Sequence, residues 1–130
     1  MIKIDDIWYD NLNKSTITPP KIVFPFVWSL LYFLIIISAG IVIWKDQFKN
    51  KLAITFFIIQ MVLNISWNPV FFRLKNIKLS LIVITILWLF ILLTIIEFLK
   101  ISQMAGYLLF PYFLWVSFAL YLNVYIYWYN

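Results

Sequence analysis

The 130-residue sequence contains no cysteine and no histidine. Disulfides, thiolate nucleophiles, Cys/His metal sites, imidazole ligation of haem and histidine acid–base catalysis are thereby excluded. Charge is also scarce. Only 12% of residues are Asp, Glu, Lys or Arg, about half the share of a water-soluble domain. What fills the space is apolar: 65% of the chain is hydrophobic and 22% aromatic, with 7 Trp, 8 Tyr and 13 Phe. A soluble enzyme, a nucleic-acid reader and a disordered tail do not have this composition, and the chain reads as an integral membrane protein. The net charge of +5 comes from Lys and Arg scattered through the segment ends, where they meet lipid headgroups. No nucleic-acid partner is expected.

The charges leave four apolar runs at about 22–44, 52–72, 79–99 and 104–128. Each is about 20 residues, and at 1.5 Å per residue such a helix crosses a hydrocarbon core of about 30 Å while satisfying its own backbone. The fold class is therefore an all-α membrane bundle of four transmembrane helices, forming a single domain over 1–130. The links are short, which favours antiparallel neighbours. Residues 1–21 are more polar, with Asp5, Asp6 and Asp10 among them, and resemble neither a signal peptide nor a basic presequence. More Lys and Arg lie in that segment and the 73–78 link than in the other two links, which places it on the cytoplasmic side.

The second run carries Gln60, Asn64, Trp67, Asn68 and Phe71 on one helical face. Carboxamides facing lipid would lack partners, so the stripe points inward. It serves either to tie helices together or to line a ligand site. Pro69 on the same run predicts a kink or a helix end. Further stripes are Phe24, Trp28, Tyr32 and Ile35 in the first run, and Tyr112, Trp115, Ala119 and Asn123 in the last, beginning beside Pro111. Trp28 and Trp115 lie one to two turns inside their spans, where an indole N–H needs a partner or a cavity. The one acid within a span is Glu97, near the span's end; its place suits snorkelling to the interface and not a proton relay.

Several of these residues together resemble a known family. Trp8-Tyr9, Leu12, Lys14, Thr18-Pro19-Pro20, Phe24, Trp28 and Leu31-Tyr32 resemble the first long loop and second helix of the TspO/MBR family, whose members include translocator proteins, tryptophan-rich sensory proteins and peripheral benzodiazepine receptors. Gln60, Leu63-Asn64, Trp67, Pro69 and Phe71-Phe72 are similar to its third helix. Pro111-Tyr112, Trp115, Phe118-Ala119 and Leu122-Asn123 are similar to its last. The family has five helices, and this sequence starts in the loop after the first. Ser15 and Ile17 stand where members commonly have Pro and Trp, and Val83 lies near a position that is often acidic. The stretch 121–130 contains no Lys or Arg, so the cholesterol-recognition pattern of vertebrate members is incomplete and cholesterol binding is not expected.

The resemblance implies a membrane protein that binds tetrapyrroles such as protoporphyrin, or similar flat apolar molecules, for sensing, transport or regulation. It places Trp28, Tyr32, Asn64, Trp67, Asn68, Phe71, Trp115 and Ala119 at the ligand, with Trp8, Tyr9, Pro19 and Pro20 in a lid. No metal and no further cofactor are required. It also implies a possible homodimer in a bacterial cell membrane, or in the mitochondrial outer membrane of a eukaryote. Two alternatives remain open: light-dependent porphyrin degradation through Trp28 and Trp115, and a truncated, non-functional family member.

Overall fold

The computed structural model describes residues 23–70, 74 and 76–129, apart from the side chain of Asn68. Five helices follow in order: α1 (Val23–Asp46), α2 (Lys51–Asn68), α3 (Ile77–Ile101), α4 (Gln103–Leu108) and α5 (Phe110–Tyr129). No strand occurs among the described residues. By length and composition, α1, α3 and the α4–α5 pair are long and apolar enough to cross a membrane, whereas α2 is a shorter apolar helix.

Three helices start with the same local device. The first N–H groups of a helix have no partner within it, and a short polar side chain just ahead of the first turn supplies an acceptor. Asn50 Oδ1 accepts from Ala53 N at 3.1 Å, Asn76 Oδ1 from Leu79 N at 2.9 Å, and Ser102 Oγ from Ala105 N at 3.3 Å. These caps move the helix starts one or two residues ahead of the expected span boundaries and take Lys51 and Lys78 into first turns.

Proline sets the other breaks. At the end of α2 the chain widens through Pro69 and Val70 into a π-type turn, with Leu74 N bonded to Pro69 O at 3.1 Å. The helix thus stops at Asn68, four residues short of the expected span. The last span also differs from the single helix expected. Pro111 has no N–H to donate, so the backbone ladder breaks at Leu109, whose own N–H returns to Gly106 O at 3.1 Å. Between α1 and α2 the link contains two non-glycine residues in left-handed conformation, Gln47 (φ 52°) and Phe48 (φ 64°).

The arrangement centres on α3, which packs against α2, α5, α4 and α1. Its buried residues Ser80, Ile84, Leu87, Ile91, Thr94 and Phe98 recur every three or four positions, the helical period. α2 lies along α3, while α1 lies along α4 and reaches α3 and α5. The short α1–α2 link therefore does not make those two helices a packed pair. Phe57 stacks on Phe98 at 5.8 Å between α2 and α3. Ser38 Oγ donates to Ala105 O at 2.6 Å, clamping α1 to α4. α4 can come close to α3 because Gly106 has no side chain: a Cβ there would lie 2.2 Å from Leu99 Cδ2. The outer surface carries exposed Phe26, Phe33, Ile36, Trp44, Val62 and Leu114, a density of apolar side chains that water does not tolerate and lipid does.

Candidate functional site

The inward stripes of α1, α2 and α5 meet. On α2, Gln60 and Asn64 are buried, as the helical spacing predicted, and on α5 so are Tyr112, Ala119 and Asn123. The Tyr32 hydroxyl donates to Asn64 Oδ1. Asn64 Nδ2 donates to the Tyr112 hydroxyl at 2.7 Å, and that hydroxyl donates to Gln60 Oε1 at 2.7 Å. The result is a one-directional chain of hydrogen bonds from α1 through α2 to α5 and back to α2. Trp28 forms its aromatic wall, with ring centroids 5.7 Å from Tyr32 and 6.2 Å edge-on from Tyr112.

A second polar group lies further along α5, toward the end where α2 finishes and α3 begins. Trp67 Nε1 donates to Asn123 Oδ1 at 3.0 Å. An indole nitrogen is a donor only, so this bond fixes which end of the Asn123 amide faces Trp67. Ser80 Oγ lies 3.3 Å from the same oxygen and 2.8 Å from Ile77 O. Between the two groups, Trp115 meets Phe24 at 5.8 Å and Phe118 at 5.7 Å.

Among the described residues, three buried nitrogens in this region have no hydrogen-bond partner: Gln60 Nε2, Asn123 Nδ2 and Trp115 Nε1. Such atoms are uncommon, and each costs about 1–3 kcal/mol of desolvation unless something accepts from it. Among the described residues no cluster of acids could hold a metal ion. Lys45, Lys49, Lys51 and Lys100 lie at the other end of the bundle, around the α1–α2 link and the end of α3. The arrangement offers aromatic surface and neutral donors, the combination that holds a large, flat, mainly apolar molecule by stacking and a few directed bonds.

The model of the TspO/MBR family matches residues 2–129. The chain belongs to the TspO/MBR family. It is 40% identical over 118 residues to a tryptophan-rich sensory protein of Cereibacter sphaeroides, covering 91% of this chain and 73% of that protein. It is also 40% identical over 125 residues to tryptophan-rich protein TspO of Archaeoglobus fulgidus, covering 92% and 78%. With the human translocator protein it shares 30% identity over 120 residues, covering 89% and 70%. Membership and the apolar helices together make it an integral membrane protein.

Of the residues that the TspO/MBR resemblance placed at the ligand, the fold gathers Trp28, Tyr32 and Asn64 directly. Trp67 joins through Asn123, Trp115 sits beside Phe24, and Ala119 is buried on the same face of α5. Asn68 ends α2. Phe71 and the lid residues Trp8, Tyr9, Pro19 and Pro20 lie outside the described residues. The site set drawn from the sequence omitted Gln60, Tyr112 and Asn123, although each stood on a stripe already identified. Ser80 was missed altogether; its one signal was a small polar residue four positions after a helix cap. Glu97 does not snorkel outward. Its carboxylate accepts from Asn50 Nδ2 at 3.2 Å and from Lys100 Nζ at 2.9 Å, so it ties the end of α3 to the start of α2, away from the aromatic site.

Proposed function

We propose that this TspO/MBR protein binds tetrapyrroles such as protoporphyrin among the aromatic side chains where α1, α2 and α5 meet. The observation that carries the reading is the meeting of Trp28, Tyr32, Asn64 and Tyr112 from three helices at one place. Indole and phenol faces stack on a planar macrocycle, and the amides between them orient it. Aromatic faces and buried amides suit binding, orienting and shielding the ligand within the membrane, in keeping with a sensing or carrier role.

The test is a titration of the purified protein in lipid nanodiscs with protoporphyrin, following Trp fluorescence in the dark. Saturable quenching at one equivalent per chain supports the reading. Quenching that only rises linearly with added porphyrin, as partition into lipid would give, contradicts it.

A further inference from the structure

We infer that the α1–α2 link is a docking surface for anionic phospholipid: a net-negative headgroup sits among Lys45, Lys49 and Lys51 and ties α1 to α2, two helices that do not pack against each other. The inference is independent of the tetrapyrrole reading.

Three large apolar side chains stand exposed at this end, each next to a lysine in the sequence: Trp44 before Lys45, Phe48 before Lys49 and Leu52 after Lys51. An apolar body beside a cation suits the boundary between acyl chains and headgroups, where the ring enters the apolar side and the ammonium reaches phosphate. The backbone of the link holds that presentation at a cost. Gln47 and Phe48 are both left-handed, with φ of 52° and 64°, a conformation that persists in such residues only where the surroundings impose it. Lys49 N bonds to Asp46 O at 3.1 Å and Asn50 N to Asp46 Oδ2 at 2.6 Å. The turn is thus closed by its own polar groups, and the Phe48 side chain is left exposed.

Charge decides which lipid. Both acids at this end are engaged within the protein: Asp46 on the Asn50 N–H, and Glu97 on Asn50 Nδ2 at 3.2 Å and Lys100 Nζ at 2.9 Å. Among the described residues Lys45, Lys49 and Lys51 make no ion pair, and all three are exposed. α2 has no acid in its first turn, so the positive end of its dipole adds to the same field. A zwitterionic headgroup brings an ammonium with its phosphate and leaves this charge standing, whereas an anionic one neutralises it. Lys45 lies in the last turn of α1 and Lys51 opens α2. A headgroup between them therefore meets cations from both helices, at the end of a seam that protein packing leaves open.

The experiment measures the thermal midpoint in nanodiscs of phosphatidylcholine alone, of phosphatidylcholine with phosphatidylglycerol, and of phosphatidylcholine with inorganic phosphate in the buffer. The natural sequence is compared with the triple variant Lys45→Gln/Lys49→Gln/Lys51→Gln, with the same three positions changed to Arg, and with Lys78→Gln at the opposite end of the bundle. Phosphatidylglycerol is expected to raise the midpoint of the natural sequence by about 5 °C or more. The glutamine triple loses most of that rise, while the arginine triple and Lys78→Gln keep it. Because the rise is read within each variant, a change in its midpoint in phosphatidylcholine does not obscure the result. The inference is overturned if phosphatidylglycerol produces no rise, or if the glutamine triple keeps it. It is also overturned if Lys78→Gln loses as much, which would be an effect of overall charge, or if inorganic phosphate gives an equal rise, which would make the ligand a free anion.

Discussion

Asn64 Nδ2 donates to the Tyr112 hydroxyl at 2.7 Å, joining α2 to α5 in the buried interior. The other end of the same amide accepts from Tyr32 on α1. One side chain thus connects three helices, two of which, α1 and α2, are consecutive without being a packed pair. If the proposed function holds, the stability of this junction and its capacity to orient a ligand depend on the same group.

Asn64→Leu removes both bonds at nearly constant volume and leaves the Tyr32 hydroxyl without its acceptor. Interhelical hydrogen bonds in membranes contribute about 0.6–2 kcal/mol each, so the variant should unfold with about 1–2 kcal/mol less stability. Unfolding in detergent, followed by tryptophan fluorescence, measures this; an unchanged midpoint would show that the bonds contribute nothing.

Gln47 and Phe48 both hold positive φ in the α1–α2 link. A side chain in the left-handed region costs roughly 1–2 kcal/mol, which glycine avoids. Gln47→Gly is expected to raise the thermal midpoint by a few degrees. Gln47→Val, β-branched at the same φ, is expected to lower it. Thermal scans of the two variants side by side provide the measurement.

Gly106→Ala drives a methyl into Leu99, whose Cγ and Cδ2 would lie 2.5 and 2.2 Å from it. Overpacking of this kind costs about 1–3 kcal/mol. Adding Leu99→Ala opens the space, and the double variant should lose less than the two single losses added together. A double-mutant cycle on unfolding free energies reads this coupling directly.

Glu97 separates two contributions. Its partner Lys100 has a side chain 62% exposed, and an exposed ion pair contributes little; Lys100→Ala should change stability by less than about 0.5 kcal/mol. Glu97→Leu also takes the acceptor from Asn50, which caps α2, and should cost about 1–2 kcal/mol. Equal losses in the two variants would mean that the ion pair, and not the link to the cap, is what matters.

The fold was legible where local chemistry decides it. Long apolar runs gave the helices, and Gln60 and Asn64 at helical spacing gave the buried face of α2, because carboxamides have nowhere else to go in lipid. Charge marks the helix starts only to within one or two residues, because Asn50, Asn76 and Ser102 set them by capping. The break at Leu109 was hidden in an unbroken apolar run, with Pro111 as its only sign. Which helices pack together was not legible: a short link brings ends together and says nothing about the remaining length. The orphaned donors of Gln60 and Asn123 and the arrival of Ser80 beside Asn123 depend on three helices at once. No sequence pattern carries them. The resemblance supplied Trp28, Tyr32 and Asn64 as a group, and the helices bring those three together.

The most direct test of the central claim uses two tryptophans in one protoporphyrin titration. Trp28 packs against Tyr32 and Tyr112 at the proposed site. Trp88 lies on α3 with its Nε1 donating to Ser117 at 2.7 Å and its ring 5.2 Å from Phe113. A tetrapyrrole site there predicts that Trp28→Phe weakens protoporphyrin binding about tenfold or more, while Trp88→Phe leaves the affinity within twofold. Equal affinity in the two variants, or a loss confined to Trp88→Phe, would contradict a tetrapyrrole site between α1, α2 and α5.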